Sequence, residues 1–230
     1  MDLKILLRTG GGPHGNADTG ACQVNTSQSL LVATRNPGKL AEIRQLLGDL
    51  PLELRGLDDF PEVADVSETG ASFIENASLK AAGYATQTGL LALADDSGLR
   101  VDALGGAPGI LSARYAGAGV GDADRTARLL SELTTVPVKM RSARFVSAVA
   151  IANPKGQILN VSVGTCDGHI DFAPRGSGGF GYDPVFIPSG YAQTFAELEP
   201  TVKNQISHRG RALSRAREFL VTLTIPSTDG

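Results

Sequence analysis

Residues 90–99 read Leu90-Leu91-Ala92-Leu93-Ala94-Asp95-Asp96-Ser97-Gly98-Leu99, and the fold is predicted outward from this stretch. The small and apolar residues 90–94 predict a short buried strand, and Gly98 predicts a break just after it. Two carboxylates and a hydroxyl follow where the strand is expected to end. Ionised carboxylates beside a buried strand are costly unless water, a cation or hydrogen-bond donors meet them. Strand ends in α/β proteins face ligand crevices. The alternative is an Asp-rich turn in which Asp95 or Asp96 caps local N–H groups.

Length and composition are those of an ordinary globular chain. The 230 residues suffice for one large domain or two small lobes, with 42% hydrophobic and 20% charged residues. A net charge of −3 and a pI near 5.6 disfavour general nucleic-acid binding, so a site for an anionic ligand must be local. No apolar run approaches the roughly 18–20 residues of a membrane span. Two distant cysteines, Cys22 and Cys166, predict a reduced cytoplasmic protein with neither a disulfide nor a zinc site.

The chain divides into three parts. Residues 1–28 lack hydrophobic periodicity and also lack the apolar core of a signal peptide, which predicts a flexible N-terminal extension. Residues 29–222 alternate between strand and helix patterns and predict a single domain. Residues 223–230 are expected to be a C-terminal tail.

The domain is predicted to begin with a buried strand, residues 29–33, that runs directly into a helix. Asn36 is a good N-cap and Pro37 suits the first helical position. A strand followed at once by a helix N-terminus makes an anion site from free N–H groups. Lys39 opposes the helix dipole, an arrangement that an anion between them would explain. The alternative is a capped surface helix with a solvated lysine.

An acidic loop that includes Glu62 follows a predicted strand at Leu52–Leu54. Ser72 and Glu75 then have the spacing of a capping box, so Glu75 is interpreted as structural. Glu68 lies just before that helix and is therefore the better candidate for a metal ligand.

The region after Asp95 is predicted to fold back on itself. Leu99–Leu104 is expected to be the second strand of a hairpin, and Asp122 or Asp124 is expected to cap a helix. Two further strands, Ala143–Ala152 and Ile158–Cys166, flank a clear turn.

Residues 175–184 form a glycine-rich stretch with two aromatic residues. Its spacing matches G-x-G-x-x-G, but Pro184 follows and no helix opens there, which excludes the dinucleotide fingerprint. Phe180 and Tyr182 instead predict a loop that stacks on a flat ligand, and Asp183 can accept hydrogen bonds from the ligand's edge. A purely structural turn is the alternative.

The last helix is predicted to begin at Ser207, its N-cap. Lys203, His208 and Arg209 crowd its start, as Lys39 crowds the start of the first helix. Cations at a helix N-terminus are unfavourable for stability and favourable for binding polyphosphate.

Together these stretches resemble the inosine/xanthosine triphosphate pyrophosphatase family, whose members remove aberrant purine nucleotides from the pool. The resembling motifs occur in the family's order and cover about residues 29–220: Thr34-x-Asn36-x-x-Lys39, Glu68-Thr69-Gly70 with Phe73 to Ala77, Ala94-Asp95-Asp96-Ser97-Gly98-Leu99, Gly178-Gly179-Phe180-Gly181-Tyr182-Asp183-Pro184, and Ser207-His208-Arg209. The resemblance implies an α/β fold with an elongated central mixed β-sheet flanked by helices. It also implies two lobes with an active-site cleft between them, and a homodimer.

The resemblance further implies Mg²⁺-dependent hydrolysis of ITP, dITP and XTP to the monophosphate and pyrophosphate, which keeps these nucleotides out of DNA and RNA. By position, Asp96 would be the catalytic base and a metal ligand, with Glu68 as the second metal carboxylate and Glu62 as its rival. Residues 34–39 would hold the phosphates. Residues 180–183 would surround the base, and Lys203, His208 and Arg209 would complete the pocket. The implied substrate-binding residues are Thr34, Arg35, Asn36, Pro37, Gly38, Lys39, Ser97, Phe180, Gly181, Tyr182, Asp183, Lys203, His208 and Arg209.

The residue types agree with that chemistry. Hydrolysis at the α-phosphate needs cations and a water held in line, and Mg²⁺ takes few carboxylates. A donor such as His208 or Arg209 facing the 6-oxo group would disfavour adenine by about 1–3 kcal/mol. Two alternatives stand beside this hypothesis: a related pyrophosphatase for modified pyrimidine nucleotides, and a non-catalytic purine-nucleotide-binding regulator.

Overall fold

The computed structural model describes residues 28–117 and 119–224. The predicted extension therefore lies outside the described residues except for Gln28, and residues 225–230 of the predicted tail lie outside them as well. Leu223 and Thr224, assigned to that tail from the sequence, belong instead to the last helix.

A six-stranded mixed sheet forms the centre of the described structure, in the order β2-β1-β3-β4-β5-β6. The strands are β1 Gln28–Val32, β2 Leu52–Gly56, β3 Leu91–Val101, β4 Ser142–Ala152, β5 Ile158–Ile170 and β6 Phe186–Pro188. Strand β1 is parallel to β2 and β3, and the other pairs are antiparallel. The helices are α1 Pro37–Leu47, α2 Phe73–Thr88, α3 Asp122–Glu132, α4 Pro200–Ile206 and α5 His208–Thr224. The expected α/β fold with a mixed sheet flanked by helices is confirmed.

Helices cover both faces of the sheet because alternate residues of each strand point to opposite faces. Leu91 and Leu93 of β3 pack in the cluster that contains α1 and α5. Ala92 and Ala94 pack in the cluster formed with α2. The small alanines on that face let α2 lie close to the sheet.

The prediction of a strand end at Asp95 and a hairpin after it is wrong. Strand β3 continues through Asp95 to Val101 and pairs with β4 from Ala92 to Val101. The strand that ends near Asp95 is β1, the parallel neighbour of β3, because the pairing of β1 with β3 stops at Leu93. The two aspartates thus stand beyond the end of β1, on a part of β3 that pairs with β4.

Gly98 does not break this strand. A Cβ at Gly98 would lie 2.5 Å from the carbonyl oxygen of Gly109 and would also collide with Ser112. The glycine is therefore needed because the helical turn Gly109–Arg114 packs directly on β3.

The local helix signals are confirmed. The Asn36 side chain accepts from the Lys39 N–H at 3.0 Å, and the Ser72 hydroxyl accepts from Glu75 N–H at 3.2 Å. At the start of α5, the Ser207 hydroxyl accepts from the Gly210 N–H at 3.0 Å. Each cap joins residues three apart, so the sequence contains the whole interaction.

The prediction that Asp122 or Asp124 caps α3 is wrong, because the N-cap is Gly121 and no side chain in the described part of the chain caps this helix. The two strands around the turn at residues 153–156 are confirmed. The second of them extends beyond Cys166 to Ile170.

Candidate active site

Two adjoining cavities open between the end of β1, the start of α1 and the middle of β3, and both are lined by Asn36, Lys39 and Ser97. The first, named here the carboxylate cavity, has a volume of about 420 Å³. Its charged lining includes Arg35, Asp65, Glu68, Lys80, Asp95, Asp96 and Arg114. The second, named here the aromatic cavity, is narrower, at about 90 Å³. Its rings are those of Phe145, Phe180, Tyr182 and His208.

Asp95 is the anion that holds the site's cations together. Its side chain is completely buried, and one oxygen, Oδ1, accepts from the Ser147 hydroxyl. Its Oδ2 accepts from Lys39 Nζ at 2.8 Å, from the Ser97 hydroxyl at 3.0 Å and from Arg209 Nε at 3.4 Å. Burial opposes ionisation, but the charges of Arg209 and Lys39 hold the pKa of Asp95 well below its usual value. A carboxylate this fully bonded is a poor proton acceptor.

Asp96 has the opposite character. Its Oδ1 accepts from Lys80 Nζ at 2.9 Å, while its buried Oδ2 has no hydrogen-bond partner within residues 28–117 and 119–224. Burial raises the pKa of Asp96 above its usual value despite the neighbouring ammonium of Lys80. A free oxygen and a raised pKa suit a group that must take up a proton.

The two neighbours differ because β3 is continuous. Side chains alternate along a strand, so Asp95 follows Leu93 toward α1 and α5, whereas Asp96 follows Ala94 toward α2. Asp95 thereby meets Lys39 and Arg209, and Asp96 meets Lys80.

Lys80 is a site residue that the sequence reasoning missed. It lies on the buried face of α2 and donates to Glu68 Oε1 at 2.8 Å, to Asp96 and to the carbonyl oxygen of Asp95 at 3.0 Å. Burial opposes ionisation of Glu68, yet Lys80 holds the pKa of Glu68 below its usual value. A signal was available, because Lys80 falls among the apolar positions Ala77 and Ala81, and a lysine is rarely buried unless acids pair with it.

The residues fit a magnesium ion. Glu68 and Asp96 both line the carboxylate cavity, whereas Glu62 is exposed and lines neither cavity. The described residues contain no group of three or more His, Cys, Asp or Glu placed to hold a metal. Mg²⁺ is commonly held by one or two carboxylates, substrate phosphates and water, so the unpartnered Asp96 oxygen with Glu68 nearby is a suitable donor set.

Glu42, also missed, organises the cations of the aromatic cavity. Its Oε1 accepts from Lys203 Nζ at 2.7 Å and its Oε2 pairs with Arg209. Lys203 Nζ also donates to Asp183 Oδ2 at 2.6 Å. Burial opposes ionisation of Lys203, but Asp183 and Glu42 raise its pKa above the usual value. Glu42 lies more than 160 residues from both cations, so no local pattern identifies it.

The aromatic cavity is lined by a stack of rings. The ring of His208 stacks on that of Phe145 with centroids 4.6 Å apart and planes 8° apart. The buried His208 Nδ1 has no partner in the described part of the chain. Burial, assisted by the charge of Arg209, holds the pKa of His208 well below its usual value, so the ring is neutral at pH 7. A neutral imidazole offers one donor and one acceptor to a ligand.

Hydrogen bonds to neighbouring segments hold the glycine-rich loop, residues 175–184, in place. The Tyr182 hydroxyl donates to the Ser112 carbonyl at 3.0 Å, and Asp122 Oδ2 accepts from the Gly181 N–H at 2.6 Å. Asp183 accepts from the Phe180 N–H at 2.8 Å, and burial raises its pKa against the effect of Lys203. Asp122 is thus an anchor for this loop, a role that its position at a helix start did not indicate.

Most of the sequence-predicted residues meet at these cavities. Those that line at least one of them are Thr34, Arg35, Asn36, Lys39, Glu68, Asp96, Ser97, Phe180, Gly181, Tyr182, Asp183, Lys203, His208 and Arg209. Pro37 and Gly38 line neither. Arg35 donates to Asp65 at 2.9 Å and Thr34 Oγ1 accepts from the Asn36 N–H at 3.1 Å, so both also shape the loop before α1.

The chain is similar to known proteins over most of its length. A dITP/XTP pyrophosphatase of Geobacillus kaustophilus is 50% identical over 191 residues, covering 83% of this chain and 93% of the relative. One of Geobacter sulfurreducens is 51% identical over 191 residues, covering 83% and 96%. The solved structure of a HAM1 protein from Coxiella burnetii has a TM-score of 0.77 and 43% identity, and the match covers 85% of this chain and 99% of that one.

None of the helices among the described residues is both long and apolar enough to cross a bilayer. The model of the Ham1 family matches residues 30–219, which is most of the chain. With close relatives aligned over nearly their full length, the protein belongs to the Ham1 family.

Proposed function

We propose that this protein hydrolyses inosine, deoxyinosine and xanthosine triphosphates to the monophosphate and pyrophosphate. One observation carries the proposal: Asp96, whose Oδ2 has no hydrogen-bond partner among the described residues, lines a cavity with Lys39 and Lys80 that adjoins an aromatic one. The names of the curated relatives, dITP/XTP pyrophosphatases, support the same reaction.

The two cavities suit the two ends of a nucleotide. The triphosphate would lie in the carboxylate cavity, near the positive end of the α1 dipole and against the Lys39 ammonium. The base would lie in the aromatic cavity, on the ring of Phe180. Lys203, His208 and Arg209 line that cavity and offer donors to the base.

Asp96 would act as the general base. The Asp96 carboxylate takes a proton from a water as the water oxygen bonds to the α-phosphorus, and the bond from that phosphorus to the bridging oxygen breaks to release pyrophosphate. Lys80 donates to Oδ1 of Asp96 and keeps the carboxylate oriented. Lys39, held by Asp95, offsets charge on the phosphates. Mg²⁺, bound by Asp96 and Glu68, would supply further positive charge to the triphosphate.

Selection for the 6-oxo purines would come from fixed donors. Arg209 is held by Glu42 and Asp95, so its N–H groups cannot turn away from an ill-matched base. An adenine amino group placed against such a donor leaves it unpaired, at a cost of about 1–3 kcal/mol, or roughly tenfold to a hundredfold in preference.

The test is pyrophosphate release with Mg²⁺ from inosine, xanthosine, adenosine and guanosine triphosphates, side by side, with Asp96→Asn as the inactive control. Rapid release from the first two supports the proposal. Release of orthophosphate, or equal rates on all four, contradicts the assignment of the aromatic cavity to the base. Binding of inosine triphosphate without release would favour a non-catalytic regulator, and activity confined to modified pyrimidine nucleotides would favour the related pyrophosphatase.

We further propose that the protein acts as a homodimer and, by removing these nucleotides, limits their incorporation into DNA and RNA. The first rests on the family resemblance and is tested by sedimentation equilibrium, which should give twice the chain mass of 23.9 kDa. The cytoplasmic location expected from the cysteine content stays a prediction.

A further inference from the structure

Gly38, in the first turn of α1, lies directly against the side chain of Phe180. A Cβ at position 38 would stand 2.5 Å from Cδ1, 2.8 Å from Cε1 and 3.0 Å from Cγ of that ring. Contacts this short do not occur between a real Cβ and a ring carbon, so any larger residue at position 38 requires the ring to move. The backbone of Gly38 does not have a positive φ, so its conformation alone does not demand glycine.

Two cations, Lys203 and Arg209, also hold the ring of Phe180 in place. Lys203 Nζ lies 5.0 Å and Arg209 Cζ 5.4 Å from the ring centroid of Phe180, within the range of cation–π attraction. Both cations are fixed by Glu42 on the same helix as Gly38. Helix α1 therefore sets the position of the ring twice, by direct contact and through the cations.

The position of Phe180 matters because the ring lines the aromatic cavity, whereas Gly38 does not. Glycine within a helix is less stabilising than alanine, so the glycine at position 38 needs a structural explanation. Approach of a phosphate to the bare backbone is one reason. The contact with Phe180 is another, and the geometry shows it directly.

We propose that Gly38 is a positioning residue for Phe180: its missing side chain lets the ring stand where it stacks on the base, and so helps to set selectivity among purines. This inference rests on the proposed function, because it takes the aromatic cavity to be the site of the base. It assigns to Gly38 a part in base selection, distinct from the phosphate contact implied by the family resemblance.

The experiment is a double-mutant cycle of Gly38→Ala and Phe180→Leu, read by kcat and KM for inosine and adenosine triphosphates and by the thermal unfolding midpoint without substrate. Gly56→Ala is the matched control, because a Cβ there would meet nothing nearer than 3.8 Å. We expect Gly38→Ala to lower kcat/KM for inosine triphosphate about tenfold, mainly through KM, and to reduce its preference over adenosine triphosphate. In the Phe180→Leu background the same change should alter kcat/KM less than about twofold, because the ring it displaces is absent.

Equal losses from Gly38→Ala in both backgrounds would overturn the proposal, since the added methyl would then obstruct the phosphates and not the ring. No loss in either background would overturn it as well. The unfolding midpoint tests the contact between Gly38 and Phe180 independently of the proposed function. If the wild-type protein released no pyrophosphate, non-additive shifts of the midpoint would still support the contact, and additive shifts would refute it.

Discussion

Replacing the two adjacent aspartates by asparagine is expected to have opposite effects on stability. The pKa of Asp95 is held below its usual value, so its ionised form stabilises the fold above the unfolded-state pKa, and this contribution disappears as pH falls through the folded-state pKa. The pKa of Asp96 is raised. Its contribution to stability is therefore complete below the unfolded-state pKa and is lost as pH rises through the folded-state value. At pH 7 the charge of Asp95 stabilises the fold, whereas the charge of Asp96 destabilises it.

The magnitudes follow from the contacts. Asp95→Asn leaves Lys39 and Arg209 without the carboxylate between them, and removal of one partner from a buried ion pair costs about 3–5 kcal/mol. We expect the lower end, about 3 kcal/mol, because Arg209 keeps Glu42. Asp96→Asn removes a buried charge, and Lys80 keeps Glu68 and a carbonyl oxygen. Its unfolding free energy should therefore stay within about 1 kcal/mol of the wild-type value or rise, while loss of a general base lowers kcat by about 10²–10⁴.

The assay combines urea unfolding at pH 7 and pH 5 with pyrophosphate release from inosine triphosphate. Asp96→Asn should unfold at the same or a higher urea concentration and be nearly inactive. A large loss of stability in Asp96→Asn together with a stable, active Asp95→Asn would refute the reasoning. Should Asp95→Asn not fold, Ser147→Ala removes a single hydrogen bond to Asp95 and is expected to cost about 1 kcal/mol.

Three further predictions concern the cations, the metal and the pH profile. Glu42→Gln should raise KM for inosine triphosphate about tenfold with little change in kcat, because Lys203 and Arg209 lose their common anion; an unchanged KM would contradict this role. Glu68→Gln should raise the Mg²⁺ concentration for half-maximal rate at least about tenfold and Glu62→Gln should not, whereas the reverse order would assign the metal to Glu62. The rate should fall on the acid side as Asp96 becomes protonated and can no longer act as the base, and a pH profile from 4 to 9 without that limb would argue against Asp96 as the base.

The sequence was sufficient for three of the four predicted helix caps. The caps at Asn36, Ser72 and Ser207 join positions three apart, and their structure agrees with the prediction. Most of the residues that the motifs named do line the cavities, because each motif is a contiguous stretch. The path of β3 was not predictable in this way. Its apolar run ends at Ala94, and only pairing with β4 keeps the polar residues after it in the strand.

By itself, then, the sequence determined the α/β class, the starts of α1, α2 and α5, and many of the residues that line the cavities. The tertiary structure determined which charged side chains of the site pair with each other. Glu42 joins cations more than 160 residues away, and Lys80 reaches from α2 to Asp96 in the middle of the next strand, β3. Asp95 and Asp96 are neighbours in the chain, yet alternation along a continuous strand turns one toward two cations and leaves the other with a free oxygen. Protonation depends on burial and on neighbouring charge, and both are set by contacts between distant segments.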